Sequence, residues 1–185
     1  KLIFFSVLYF GIVSITADVS ISLRFVLLLS LLFGSALVSA SEVAFFSLPN
    51  ETLQAAAQSP DRKKRLMAKL RSEPKRLLST ILVVNNLINL SIVLLFVSMS
   101  PILFGSFSIK WLQVLIEIAV ISAFILTFGE IIPKIYANKN AESLCLKMTL
   151  PMYVADRYLL FFISIPLSRL TFFFQKKFNK TTTDI

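Results

Sequence analysis

The sequence predicts an all-α membrane protein with three transmembrane helices and short amphipathic helices at the membrane surface. Of its 185 residues, 56% are hydrophobic and 16% are charged, whereas soluble domains carry about 45–50% apolar and about 25% charged residues. A helix needs about 20 mostly apolar residues to cross a hydrocarbon core of about 30 Å. Three segments meet this requirement, at about residues 20–46, 77–109 and 111–132.

Basic residues in the connections predict the orientation of these spans. Residues 51–77 and 134–185 each contain eight Lys or Arg against three Asp or Glu, whereas residues 99–110 contain Lys110 alone. Because basic loops stay on the cytoplasmic side, we expect three crossings with an external start and a cytoplasmic C-terminus. The net charge of +9 therefore predicts orientation and contact with membrane lipids, and no binding of nucleic acid.

The two ends of the chain leave alternatives open. Because the chain begins with Lys1 rather than methionine, we expect it to be part of a longer protein. Residues 3–17 are apolar but short for a span, which allows an extra tilted helix, the remainder of a signal-like segment, or an external lip. The last forty residues contain Pro151 and Pro166, and their longest uncharged piece is Tyr158–Ser168. We predict a kinked helix in the inner interface there, and a fourth span is the alternative.

The connection between the first and second spans is predicted to form short helices. We expect Ser59 to be the N-cap of a helix that has Pro60 in its first turn. Leu66, Met67 and Leu70 share one face of this helix, and Lys and Arg surround them. The pattern is typical of a helix near the lipid headgroups, but we favour the alternative, a solvated basic helix that only fixes the topology.

The residue types exclude several kinds of chemistry. The chain has no histidine and one cysteine, Cys145. This composition excludes a disulfide framework, the usual zinc sites and histidine-based acid–base catalysis. We therefore predict that the chain is not an enzyme.

Polar residues within the spans predict a cation site in the inner half of the membrane. Such residues are costly at this depth and usually face a partner or a cavity. At about 1.5 Å per residue, Ser39 in the first span, Asn85 and Asn89 in the second, and Glu130 in the third all fall in the inner half. Asn85 and Asn89 are four residues apart and therefore share one face of their helix.

A proline adds a backbone oxygen to this set. Pro133 has no N–H, so the helical hydrogen bond to the Gly129 carbonyl is lost, and glycine lets another group approach. A carboxylate, two amide oxygens, a hydroxyl and a carbonyl are hard donors that suit Mg²⁺ or Ca²⁺. The alternatives are asparagines that only hydrogen-bond the helices together, serines that bond back one turn, and a proline that only ends the helix.

Two further glutamates in the spans, Glu117 and Glu42, are not among the expected ligands of this site. Glu117 is either a second residue of a cation pathway or a side chain that reaches water near the outer end of the third span. Glu42 is expected to pair with a cytoplasmic base, Lys134 or Arg76, rather than to bind an ion.

Three segments resemble the signatures of the CNNM/CorC transmembrane domain, in the same order and at matching spacing. They are Ser-Ala-Ser-Glu-Val-Ala-Phe-Phe-Ser at 39–47, Val-Asn-Asn-Leu-Ile-Asn at 84–89 and Phe-Gly-Glu-Ile-Ile-Pro-Lys at 128–134. The resemblance covers about residues 20–178, which leaves 1–19 as an apolar N-terminal segment and 179–185 as a tail. The first motif and the Asn-Asn pair also resemble the gliding-motility-associated branch of the family.

The resemblance implies a homodimeric protein of the bacterial inner membrane that exports Mg²⁺ in exchange for Na⁺. Relatives continue into cytoplasmic CBS domains that bind ATP, which this sequence does not include. Where relatives often have glycine, this chain has Val84, whose bulk would narrow the pocket. With the Gly129 carbonyl added by the proline argument, the expected cation ligands are Ser39, Asn85, Asn89, Gly129 and Glu130. The alternative function is a non-transporting scaffold or regulatory subunit of an envelope or gliding machinery.

Overall fold

The computed structural model describes residues 20–105 and 109–158, which are helical apart from short connections and contain no strand. The predictions made for residues 1–19 and 159–185 lie outside the described residues. The elements are α1 (Ile21–Ser47), α2 (Asn50–Gln58), α3 (Arg62–Ser72), α4 (Pro74–Phe104), α5 (Lys110–Phe124), a π-helical segment (Ile125–Ile131), α6 (Ile132–Lys139) and α7, which covers residues 141–158.

Three helices are long and apolar enough to cross a membrane, as the sequence predicts. They are α1, α4 and the continuous helix Lys110–Lys139, which is made of α5, the π-helical segment and α6. With 27, 31 and 30 residues, they are about 40 to 47 Å long at about 1.5 Å per residue. This length exceeds the hydrocarbon core of about 30 Å, so the helices tilt or extend beyond it.

The connections give the bundle two distinct ends. At the basic end, α1 finishes, α4 begins and α6 finishes, and α2 and α3 lie between α1 and α4 in the chain. At the far end, α4 finishes at Gly105, whose φ of 62° and ψ of −149° fall in a region that essentially only glycine adopts. The chain then returns through α5, which starts at Lys110.

A hydrophobic core at the basic end joins α1, α3, α4 and α7. Phe45, Met67, Leu77 and Met152 are almost completely buried and belong to one cluster. Complete burial of one such side chain contributes about 1.5–3 kcal/mol. Met67 and Leu70 on the apolar face of α3 are buried, so this face packs on the protein, as the amphipathic pattern predicts. That the helix lies near the lipid headgroups stays a prediction.

The start of α3 also differs from the prediction. Its N-cap is Asp61, whose carboxylate accepts a 2.8 Å hydrogen bond from the backbone N–H of Lys63. The hydroxyl of Ser59 accepts from the backbone N–H of Asp61 at 3.2 Å and so closes a turn before the helix. The assignment of Ser59 as the N-cap was therefore wrong, because aspartate competes equally well for this role.

Two arginines at the basic end join neighbouring helices, α3 to α1 and α4 to α7. Arg71 of α3 donates from Nε to the Phe45 carbonyl at 3.2 Å, and so satisfies a carbonyl in the last turns of α1. Arg76 at the start of α4 donates to both carboxylate oxygens of Asp156 in α7, at 2.9 and 2.6 Å. Thr80 adds a third bond to Asp156 at 3.1 Å. The helix α7 runs through Pro151 without a break.

The outward faces of the three spans are apolar and exposed. Phe33 of α1, Trp111 of α5 and Ile135 of α6 are 67%, 68% and 61% exposed. Exposed apolar surface of this extent is typical of a protein that contacts lipid or a partner. Ser35, Asn89 and Glu130 are buried or half-buried and lie between the helices.

Candidate cation site

A chain of hydrogen bonds joins the three spans in the half of the bundle towards the basic end. The hydroxyl of Ser35 in α1 lies 2.6 Å from Oδ1 of Asn89 and 3.2 Å from Oδ1 of Asn85, both in α4. Nδ2 of Asn89 donates to Oε1 of Glu130 in the π-helical segment at 3.3 Å. The structure therefore brings three of the residues singled out in the sequence, Asn85, Asn89 and Glu130, into one network.

This network has more acceptors than donors where the helices meet. A hydroxyl has one hydrogen and donates to one oxygen at a time, yet the Ser35 hydroxyl faces two amide oxygens. A hard cation is typically bound by several oxygens of this kind at once. Within residues 20–105 and 109–158 there is no cluster of three or more Asp, Glu or Cys side chains that could hold a metal ion, so a site here depends on neutral oxygens and the half-buried Glu130.

Gly129 allows the π-helical segment to approach α1 at this point. A Cβ atom on Gly129 would lie 3.1 Å from the Ser35 hydroxyl oxygen and 3.7 Å from the Ser35 Cβ. The first distance is tighter than ordinary van der Waals contact, so an alanine here would require the Ser35 hydroxyl to shift by a few tenths of an ångström. The absence of a side chain at Gly129 thus permits the close approach of the first and third spans. That the Gly129 carbonyl is itself a ligand stays a prediction.

The backbone of the third span is irregular at the site. The N–H of Ile132 bonds to the carbonyl of Thr127, five residues earlier, which is the π-helical pattern. Such turns are rare and are frequent at functional sites. Pro133 follows directly, but the helix continues to Lys139, so the alternative that Pro133 ends the helix was wrong. The sequence analysis predicts a free carbonyl at Gly129, which lies within the irregular segment Ile125–Ile131, but it does not predict the π-helical turn.

Ser39 occupies a different environment from the other predicted ligands. It is 1% exposed, and its Oγ has no hydrogen-bond partner in the described part of the chain. It lies one turn from Ser35 towards the basic end and on the same face of α1. The back-bond that was considered for this pair of serines is formed by Ser41, which donates to the Val38 carbonyl at 2.6 Å. Ser39 as a cation ligand stays a prediction.

Ser35 is the residue of this network that the sequence analysis missed. Its signal was present, since it precedes Ser39 by four residues and therefore shares its helical face. The motif that carries the family resemblance begins only at Ser39, so Ser35 lies one turn outside it.

An ion pair lies next to the network on the side of the basic end. Nζ of Lys134 is 2.9 Å from Oε2 of Glu42, so the predicted pairing of Glu42 with a base is confirmed for Lys134. The other candidate, Arg76, bonds to Glu73 and Asp156. Lys134 follows Glu130 by one helical turn, which places this pair between the network and the basic end of the bundle.

A second polar cluster lies near the far end. Glu117 of α5 is 5% exposed, so the alternative that it reaches water was wrong. The hydroxyl of Ser100 in α4 and Nε2 of Gln113 in α5 both donate to Oε1 of Glu117, the latter at 2.7 Å. The second and third spans are therefore hydrogen-bonded to each other at this level as well.

Comparison with known proteins agrees with this architecture. Residues 26–184 match the family described as the CNNM, cyclin M transmembrane N-terminal domain. The UPF0053 protein sll1254 of Synechocystis sp. is 28% identical over 124 residues, which cover 65% of this chain and 34% of that protein. The chain thus spans about a third of the length of this relative. The family match begins within the first span and includes the other two spans and both polar clusters, and this chain therefore belongs to the CNNM family as a multi-pass transmembrane domain.

Proposed function

We propose that this domain moves divalent cations, Mg²⁺ first among them, across a membrane, and that the cation binds in the Ser35 network. The observation that carries the proposal is the meeting of the Ser35 hydroxyl with the amide oxygens of Asn85 and Asn89, beside Glu130. The proposed ligands come from this network, from the adjacent buried serine and from the backbone: Ser35, Ser39, Asn85, Asn89, Gly129 and Glu130.

The chemistry of this ligand set favours Mg²⁺ over softer metals. All the donors are hard oxygens, which suit Mg²⁺ and Ca²⁺. Glu130 supplies the one carboxylate, so a divalent ion keeps a net positive charge in the site. Conduction requires binding that is weak enough for release, and this incomplete neutralisation meets that requirement.

The direction and setting of transport are part of the proposal. We infer export of Mg²⁺ in exchange for Na⁺ by a homodimer, as the resemblance implies, with the basic end and the C-terminus in the cytoplasm of a bacterial cell. The eight basic residues in each of the segments 51–77 and 134–185 of the sequence support the orientation through the positive-inside rule. Cytoplasmic CBS domains belong to the proposal for the full-length protein.

Thermal unfolding in detergent micelles tests the site directly. Added Mg²⁺ should raise the unfolding temperature of the wild type in a saturable way, because a ligand that binds only the folded state stabilises it. Glu130→Ala and Glu130→Gln should both lose this rise. Glu142→Gln is a matched control, since Glu142 is an exposed glutamate of α7 and should leave the rise intact. Equal Mg²⁺ protection in wild type and both Glu130 variants would contradict the site.

Transport itself requires the full-length protein in proteoliposomes. We expect Mg²⁺ flux in the wild type and none in Glu130→Gln at equal amounts of folded protein. Absence of flux in a folded wild type, together with co-purifying membrane proteins, would instead support the scaffold alternative.

A further inference from the structure

The ion pair between Glu42 and Lys134 continues the face of α1 that carries the cation network. Ser35, Ser39 and Glu42 are spaced four and then three residues apart, and they therefore share one face of α1. Nζ of Lys134 lies 2.9 Å from Oε2 of Glu42, and the two side chains are 38% and 29% exposed. Ser35 and Ser39 are buried. The pair is thus the partly exposed end of this face, on the side of the basic end.

Lys134 is also placed to reach a second carboxylate, that of Glu130. The two residues are four apart on the third span, and in a helix the side chains of such residues are neighbours. A glutamate that precedes a lysine by four residues is the favourable order for an ion pair. The ammonium group is carried on a flexible four-carbon stem. It can therefore pair with Glu42 or with Glu130 while the backbone stays in place.

The charges of these three side chains leave one carboxylate for a cation. Glu42, Glu130 and Lys134 together carry two negative charges and one positive charge. In the structure Lys134 pairs with Glu42, and Glu130 accepts a hydrogen bond from the neutral Nδ2 of Asn89 at 3.3 Å. A carboxylate within a span is costly unless it is paired. An ammonium that leaves Glu42 for Glu130 would remove this cost when no cation is bound.

We propose that Lys134 is an internal competitor of the divalent cation. Its ammonium pairs with Glu42 when a cation binds at Glu130, and it turns to Glu130 when the cation leaves. Glu42 is a positioning residue that acts through Lys134, because it holds the ammonium away from the site. The arrangement in the structure, with Lys134 on Glu42, is the one that can receive a cation. This inference rests on the proposed function, since it concerns the cation that binds at Glu130.

Mg²⁺ titration of the unfolding temperature in detergent micelles tests the inference, because the two halves of the pair should have opposite effects. Lys134→Met removes the competing charge, so the apparent Mg²⁺ affinity should rise about tenfold. Glu42→Gln removes the other partner of the ammonium and leaves it to Glu130, so the affinity should fall about tenfold. An ion pair that only stabilises the fold is broken by either substitution, and both would then shift the Mg²⁺ affinity in the same direction or not at all.

A double variant and a conservative one separate positioning from direct ligation. If Glu42 acts only through Lys134, the variant with both Glu42→Gln and Lys134→Met should bind Mg²⁺ as tightly as Lys134→Met alone. Lys134→Arg keeps the charge and should bind Mg²⁺ like the wild type. Lys139→Met and Glu142→Gln are the matched controls. They remove the same charges from exposed residues of α6 and α7 and should leave the Mg²⁺ titration unchanged.

The outcomes distinguish this inference from the proposed function. Shifts in the same direction in Lys134→Met and Glu42→Gln would overturn it, while a loss of Mg²⁺ protection in Glu130→Gln would still support the proposed site. An unchanged titration in Glu42→Gln would also overturn it, even where Lys134→Met does not fold. A double variant that binds Mg²⁺ more weakly than Lys134→Met would contradict the positioning role of Glu42. A wild type that Mg²⁺ does not protect would contradict the proposed function, and this inference with it.

Discussion

The Ser35 hydroxyl lies 2.6 Å from the Asn89 amide oxygen, so the first and second spans are tied at the level of the glutamate of the third. This contact is between a residue that no motif highlighted and one that the family signature contains. It defines the proposed Mg²⁺ site more closely than any single motif residue does.

Removing that hydroxyl should weaken Mg²⁺ binding without unfolding the bundle. Ser35→Ala deletes one oxygen ligand and leaves two amide oxygens without their shared donor, so we expect about a tenfold loss of apparent Mg²⁺ affinity, or about 1.4 kcal/mol. Mg²⁺ titration of the unfolding temperature measures it. Ser30→Ala is the control, because the exposed Ser30 hydroxyl bonds to the Val26 carbonyl within α1. An unchanged titration in Ser35→Ala would exclude Ser35 as a ligand.

Removing the Ser39 hydroxyl should not destabilise the protein in the absence of ions. Its buried hydroxyl has no hydrogen-bond partner among the described residues, and burial of such a group costs about 1–3 kcal/mol. Ser39→Ala should therefore be at least as stable as the wild type without Mg²⁺ and lose part of the protection by Mg²⁺. Ser41→Ala breaks the bond to Val38 and should lose about 0.5–1.5 kcal/mol of unfolding free energy. Equal destabilisation of both variants without Mg²⁺ would show that Ser39 is satisfied by an ordinary hydrogen bond.

The two glycines that face neighbouring spans should respond differently to a methyl group. Gly129→Ala places a Cβ 3.1 Å from the Ser35 hydroxyl, and we expect a loss of about 1–3 kcal/mol of unfolding free energy together with weaker Mg²⁺ protection. Gly34→Ala meets only the Ile88 Cδ1, at 3.9 Å, and should be neutral or stabilising by up to about 1 kcal/mol through helix propensity. Chemical unfolding in detergent micelles compares them. Equal effects would show that the spans separate easily at Gly129.

The link between α7 and α4 depends on a buried carboxylate. Asp156→Asn replaces an oxygen that accepts from Arg76 and leaves the guanidinium with a weaker partner, so we expect a loss of about 1.5–3 kcal/mol. Glu73→Gln affects the same Arg76 through an exposed ion pair, which is worth about 0–1 kcal/mol. The difference between these two variants, measured by chemical unfolding, reports the contribution of the buried contact. A loss in Glu73→Gln as large as in Asp156→Asn would contradict this assignment.

Because the Cys145 thiol is buried, we expect the protein to lose stability at alkaline pH. Burial raises the pKa of the Cys145 thiol from 9.0 to about 12. Between these values the unfolded chain releases a proton that the folded protein retains, so stability should fall as pH rises from 9 to 12, by up to about 1.4 kcal/mol per pH unit. Cys145→Ala should remove this component. Alkylation by iodoacetamide at pH 8 should be slow in the folded protein and fast after unfolding, and fast alkylation of the folded protein would contradict the burial.

The sequence could predict what depends on periodicity and on the cost of polar groups in lipid. Asn85 and Asn89 share a face because they are four residues apart in a helix. A carboxylate within a span is costly unless it is paired or hydrogen-bonded, so a polar partner for Glu130 could be predicted. The features that escaped prediction depend on other parts of the chain. The pairing of Arg76 with Asp156 joins residues eighty positions apart, and the cover over Met67 comes from helices that local sequence does not specify.

The cap at Asp61 and the turn at Ile132 were missed for a different reason. In each case two backbone arrangements are close in energy, and the neighbouring structure decides between them. Aspartate and serine are comparable as caps, and a proline at position 133 is compatible with a helix end, a kink or a wide turn.

The π-helical segment has a consequence for how variants of the third span are interpreted. A wide turn changes the rotational phase of everything that follows it, so residues before Ile125 and after Ile131 do not lie on one 3.6-residue stripe. A helical wheel drawn through the whole span would therefore misplace either Glu117 or Glu130 relative to the bundle axis. A substitution scan of this span should be analysed as two helices with separate periodicities, each with its own inward face and its own carboxylate.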